Sequence, residues 1–80
     1  MKKASWRDHI VSTPDVLRGR PRIKGTRIPV SLILGYLAAG KDLQGALEEL
    51  SNEFPDLDIR AIAACLDYAR ELAEFEVVTV

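Results

Sequence analysis

The sequence predicts a mainly α fold: a short N-terminal β-hairpin followed by a three-helix, helix-turn-helix-like bundle. Three observations carry that expectation. Apolar residues recur at helical spacing from Val30 onward, turn formers and β-branched pairs dominate before it, and 80 residues provide for one modest core. The chain reads as a single domain, with 1–29 a basic strand and hairpin segment, 30–75 the three helices, and 76–80 an apolar tail.

Each element has its own signal. Ile10-Val11-Ser12 is β-prone and stops at Pro14. Arg18-Gly19-Arg20-Pro21 is turn chemistry, since Gly19 is free to take positive φ and Pro21 fixes its own. Arg22-Ile23 and Thr26-Arg27-Ile28 flank Lys24-Gly25, which predicts a tight hairpin with Ile23 and Ile28 inward and arginines outward. The first helix starts after Pro29, carries Val30, Ile33, Leu34, Leu37 and Ala38 on one stripe, and stops at Gly40. The second is capped by Asp42 and buries Leu43, Ala46, Leu47 and Leu50. Gly45 weakens it by about 1 kcal/mol relative to alanine. Pro55 ends it, because the residue before a proline avoids helical backbone. The third runs from Asp58 to Glu74, with Ile59, Ile62, Ala63, Leu66, Ala69 and Ala73 expected inside, flanked by Cys65 and Leu72. Arg60, Asp67, Arg70, Glu71 and Glu74 fall on its wet side.

Composition narrows the function classes. Cys65 is the one cysteine and His9 the one histidine, so the chain offers no intrachain disulfide and no Cys/His zinc set. No metal or other cofactor is expected. A domain of this size commonly needs support from a second subunit or partner. A lone thiol fits a reducing, cytoplasmic location. Trp6-Arg7-Asp8-His9 interrupts any signal-peptide core, and the apolar stretch from Ile28 to Gly40 is too short to span a bilayer.

The net charge of −1 hides a division. Residues 1–30 hold eight Lys and Arg against two acids, whereas 31–80 hold three against ten. A basic segment on an acidic body suits a polyanion, or an acidic surface on a neighbour. Catalytic groupings are missing from the pattern. Cys65 sits among apolar residues with no base near it, Asp67 and Glu71 read as a solvated face, and no phosphate-binding glycine loop precedes a helix. The chain therefore reads as a binding protein and not an enzyme.

The run Gly19-Arg-Pro-Arg-Ile-Lys-Gly-Thr-Arg-Ile-Pro-Val30 resembles the signature of the family known as domain of unknown function 433, whose pattern is G-x-P-x-I-x-G-T-R-I-P-V. The resemblance continues through Phe54-Pro55-Asp56-Leu57 to Ala64-Cys65-Leu66-Asp67-Tyr68-Ala69, and covers about residues 9–70. It implies a homeodomain-like helical fold and a VapB-like antitoxin of a type II toxin–antitoxin pair. Such a protein neutralises a PIN-like ribonuclease toxin and binds its own operator DNA as a homodimer. Gly45 departs from the family's helix-forming tendency there, and the chain leaves little tail beyond the third helix. On this reading DNA contacts fall at Arg20, Arg22, Lys24 and Arg27, with Arg60 on the third helix. Arg27 has a structural alternative, bracing Asp67 or Glu71. The toxin would meet Phe75, Val77, Val78 and Val80, a β-branched tail suited to adding a strand to a sheet edge. Two other readings are a protein-interaction module without DNA binding and a stand-alone DNA-binding regulator.

Overall fold

The computed structural model describes residues 5–75. Two short antiparallel strands, β1 (Ile10–Val11) and β2 (Arg22–Ile23), precede three helices, α1 (Val30–Ala38), α2 (Leu43–Ser51) and α3 (Ile59–Phe75). The expected fold class is the observed one. The strand pairing differs from expectation. Ile10 lies opposite Ile23 and Val11 opposite Arg22, so the partner of β2 comes from upstream of the turn at Gly19. The segment after Gly25 does fold back, but it meets β2 through the Ile23 N–H to Ile28 carbonyl bond at 3.0 Å and a single bridge between Arg22 and Pro29. Proline has no N–H to continue the ladder, which confines that pairing to one bridge.

The strand pairing produces one apolar underside. Ile10, Ile23 and Ile28 are buried and join Val30 and Ile33 of α1, Ala46 and Leu50 of α2, and Ile62 and Cys65 of α3 in one cluster. The Val30 N–H donates to the Pro21 carbonyl at 3.0 Å, tying the start of α1 to the strand segment. Gly40 takes φ +105°, a left-handed stop after α1 that favours glycine. Asp42 accepts the Gly45 N–H at 2.8 Å, satisfying one of the free donors at the start of α2.

The buried side of α3 needs correction. Ile62, Cys65, Ala61 and Ala64 are buried, whereas Leu66 is 43% exposed and Leu72 50%. Ile59, Ala63 and Ala69 are half-buried, and Ala73 is exposed. The helix is turned away from the expected stripe because a second element covers its other side. Trp6, in a short helical turn at Trp6–Asp8, meets the Tyr68 ring edge-to-face at 4.8 Å between centroids. Arg7 lies over the Trp6 ring at 4.4 Å and reaches Glu71 at 3.5 Å. Ala61 and Ala64 share the arc of Tyr68 and Glu71, and their small side chains admit close packing there.

Truncation distinguishes the two faces. Ile62→Ala is expected to lose about 2–5 kcal/mol in denaturant unfolding, as buried isoleucines do. Leu66→Ala should lose less than about 1.5 kcal/mol, since much of that side chain stays wet when folded. Equal losses would restore the expected stripe.

Candidate nucleic-acid interface

The basic run occupies a ribbon whose backbone is set by two unusual turns. Leu17, Arg18 and Gly19 have φ of 50°, 57° and 81°, three left-handed residues in succession. Only glycine adopts this region freely, and each non-glycine residue there costs about 1–2 kcal/mol. The turn closes through Gly19 N–H to the Val16 carbonyl and Arg20 N–H to the Leu17 carbonyl. The second turn spans residues 23–26. Gly25 has φ +79° while Lys24 does not share the positive sign, which is the type II pattern. Thr26 holds it: its hydroxyl donates to the Ile23 carbonyl at 2.8 Å and accepts the Ile28 N–H at 3.0 Å.

Between these turns the apolar residues point to the core and the cations away from it. Arg18, Arg20, Lys24 and Arg27 are exposed, and Arg22 is half-buried. Their electrostatic state sets them apart. Among the described residues every other arginine and lysine has an acidic partner: Arg7 with Glu71, Lys41 with Glu49, Arg60 with Asp58, and Arg70 with Asp67 and Glu74. No such ion pair involves Arg18, Arg20, Arg22, Lys24 or Arg27. Glu71 is braced by Arg7, so the structural role weighed for Arg27 at that carboxylate falls to a different residue.

Arg60 stands apart from the other four expected contacts. Its Nε donates to Asp58 Oδ2 at 3.1 Å and its amide to Asp58 Oδ1 at 3.0 Å. The Arg60 amide, and then its guanidinium, hold the Asp58 carboxyl below its ordinary value. The expected partner surface of Phe75, Val77, Val78 and Val80 lies outside the described residues, apart from the backbone of Phe75 at the end of α3.

Among the described residues, clefts border the ribbon on more than one side. One of about 510 Å³ opens between the Lys24–Thr26 turn and the loop joining α2 to α3, with Asp8, Glu53, Asp56 and Asp58 around His9 and Lys24. A second, about 490 Å³, is lined by Val16, Arg22, Gly25, Thr26, Arg27 and Phe54. Gly25, Thr26 and Phe54 belong to both, so this turn and one aromatic ring separate an acidic cleft from a basic one. The third, about 230 Å³, lies among Leu17, Arg18, Arg20 and Pro29. Arg18 and Phe54 thus line the site although neither stands among the five expected DNA contacts. Arg18 was legible as part of the cationic run; Phe54 was legible through its place before a proline and in the family resemblance, neither of which marks a binding wall.

Cys65 is fully buried, donates its thiol to the Ala61 carbonyl at 3.5 Å, and has its pKa pushed up to about 12 by burial. It is a packing residue with no thiolate to offer near neutrality. Among the described residues no group of three or more His, Cys, Asp or Glu is placed to hold a metal ion, and no helix is long and apolar enough to cross a membrane.

The fold and site define a class: a small, mainly helical domain that displays a cationic ribbon without ion pairs among the described residues. The chain belongs to the family described as "Protein of unknown function (DUF433)", whose model matches residues 10–69 and so takes in both strands, the ribbon, α1 and α2 in full, and α3 as far as Ala69. It is similar to the "Uncharacterized protein y4eO" of Sinorhizobium fredii (strain NBRC 101917 / NGR234), with 36% identity over 66 residues. Those residues are 82% of this chain and 28% of that protein, so the chain spans under a third of this relative's length. No solved structure matches.

The buried thiol has a measurable consequence. Above the ordinary thiol value near 9.0 the unfolded chain loses the Cys65 proton while the folded chain keeps it to about 12. Stability from this group is therefore whole below 9 and declines as pH rises toward 12. Denaturant unfolding of Cys65→Ala against the parent between pH 8 and 10.5 should show the parent alone acquiring the extra alkaline slope. Parallel curves would show the thiol ionising in the folded state.

Proposed function

We propose that this chain is the antitoxin of a type II toxin–antitoxin pair, contacting operator DNA through the basic ribbon and a PIN-like ribonuclease through the far end of α3. The observation that carries the DNA half is the division of charge partners: among the described residues the five consecutive cations of the ribbon form no ion pair, while the other arginines and lysines do. Neutralising a duplex releases counterions, and each phosphate contact adds close to one unit to the salt dependence of binding. The ribbon thus supports a slope of at most about −4.5 per protomer, and a homodimer doubles it.

The protein-binding half rests on the likeness of Gly19–Val30 to the antitoxin-associated signature. It is supported by the exposed side chains of Leu66 and Leu72 on α3, the helix that precedes Val77, Val78 and Val80 in sequence. Exposed apolar side chains suit a protein partner, and a β-branched sequence such as Val77-Val78-Thr79-Val80 suits one that supplies a sheet edge. The homeodomain-like reading of the bundle assigns α3 to the recognition position. The Asp58–Arg60 pair at its start argues for the ribbon, and not this helix, as the main contact.

Co-expression with a PIN-type ribonuclease encoded beside it is the direct test. The two should co-purify, RNA cleavage should be suppressed in the complex and return when the chain is removed, and the complex should bind its upstream DNA with a steep salt dependence. Arg20→Gln with Lys24→Gln should lower that slope by about 2 per protomer without loss of ribonuclease binding. Ribonuclease binding with no DNA binding leaves an interaction module; DNA binding with no ribonuclease leaves a stand-alone regulator. Failure of both overturns the reading.

A further inference from the structure

Arg22 differs from its neighbours in the ribbon. Its guanidinium Nη2 donates to Thr13 Oγ1 at 3.4 Å, a long bond to a neutral acceptor. Its Nε and Nη1 are shielded from solvent and have no acceptor. A guanidinium carries five N–H donors and stays ionised throughout the protein pH range. Shielded donors without partners forfeit the hydration they had in the unfolded chain, and a charged group forfeits more. Native proteins rarely leave such donors unmet: a bound water, an ion or a ligand supplies the acceptor.

The ligand's chemistry follows from the surroundings. Arg22 lines the cleft it shares with Arg27, and no acid lines it. The Thr26 hydroxyl on its wall is already engaged twice within the turn, so it does not compete. Val16 and Phe54 make the remaining walls apolar, which strengthens a charge-assisted bond formed there. Rotation of the Arg22 head into this cleft presents its fork to two oxygens of one oxyanion, with Arg27 at the opening.

We propose that the Arg22–Arg27 cleft seats a backbone phosphate of nucleic acid, with Arg22 binding it bidentately. A carboxylate has the same fork-matching oxygens. The repeat along the ribbon favours the phosphate: the adjoining cleft is lined by Arg18 and Arg20, again with no acid, and its Pro29 is bridged to Arg22. A chain with one charge per nucleotide fills two successive arginine-lined clefts, whereas a single carboxylate fills one. The proposal rests on the DNA half of the functional reading and adds a division of labour. Arg20 and Lys24 supply charge alone, while Arg22 supplies geometry that lysine lacks.

The test uses the full chain and inorganic phosphate at constant ionic strength, with chloride and acetate as controls. The Arg22 Nε–H resonance should shift saturably with phosphate and little with either control. At tenfold excess over its Kd, phosphate should raise the Tm by about 5 °C or more. Arg22→Met and Arg22→Lys should both lose that rise. Arg22→Met is expected to fold at least as stably as the parent, because it removes a shielded charge without a partner. On duplex DNA, Arg22→Lys should weaken binding about tenfold, the scale of a lost bidentate bond, while Arg20→Lys stays within about twofold. An unmoved Arg22 resonance overturns the proposal. So does DNA binding that Arg22→Lys leaves unchanged, a result that keeps the DNA reading intact. Phosphate saturation with no duplex binding retires the nucleic-acid source and the DNA reading together. An acetate response equal to that of phosphate assigns the seat to a protein carboxylate.

Discussion

The placement of Ile10 against Ile23, with Ile28 folded beside them, is the constraint on which the rest of the structure depends. Burying three isoleucines contributes about 1.5–3 kcal/mol each, and they are all buried in the cluster shared with the helices. Because successive strand residues face opposite ways, fixing Ile23 inward turns Arg22 and Lys24 away from the deepest part of the core. A slip of one residue would bury cations and expose isoleucines, so the register is strongly enforced. The charged surface is therefore a consequence of how the apolar one is satisfied.

Much of this was legible in the chain. The inward direction of Ile23 and Ile28, the glycine turn at Gly25, the cap at Asp42 and the stop at Gly40 are local effects, and local effects are written in local sequence. The strand partner was not, because Ile10-Val11 and Thr26-Ile28 are both short, β-branched runs within reach of Arg22-Ile23. The face of α3 was hidden for a different reason. Ile59, Ala61, Ile62, Ala63, Ala64, Cys65 and Leu66 are nearly continuous, so helical periodicity leaves the buried arc open. Trp6 decided it by packing on Tyr68 from more than sixty residues away. Gly45 looked like a weakness; in the fold, an added Cβ would come within 3.1 Å of the Asp42 oxygen that caps its own amide. The cationic ribbon was visible as composition, but the absence of acidic partners around it is a property of three dimensions.

The ribbon is maintained at some expense in stability. Leu17 and Arg18 occupy backbone conformations that disfavour side chains, and Arg22 keeps donors unmet. In a domain with one small core such features need compensation elsewhere. The N-terminal turn supplies some of it, with Arg7 stacked on Trp6 while it pairs with Glu71. That contact covers α3 with a segment far from it in sequence.

The Gly25–Thr26 turn, with an arginine-lined cleft on one flank and a carboxylate-rich cleft on the other, makes the molecule an electric dipole with almost no net charge. A protein with a charge of −1 gains nothing from a polyanion as a point particle. As a dipole it feels a torque that turns its basic pole forward before contact, within a screening distance of about 8 Å at physiological salt. Orientation then precedes attraction. A single charge changed at either pole would alter the direction of approach more than any change in total charge suggests.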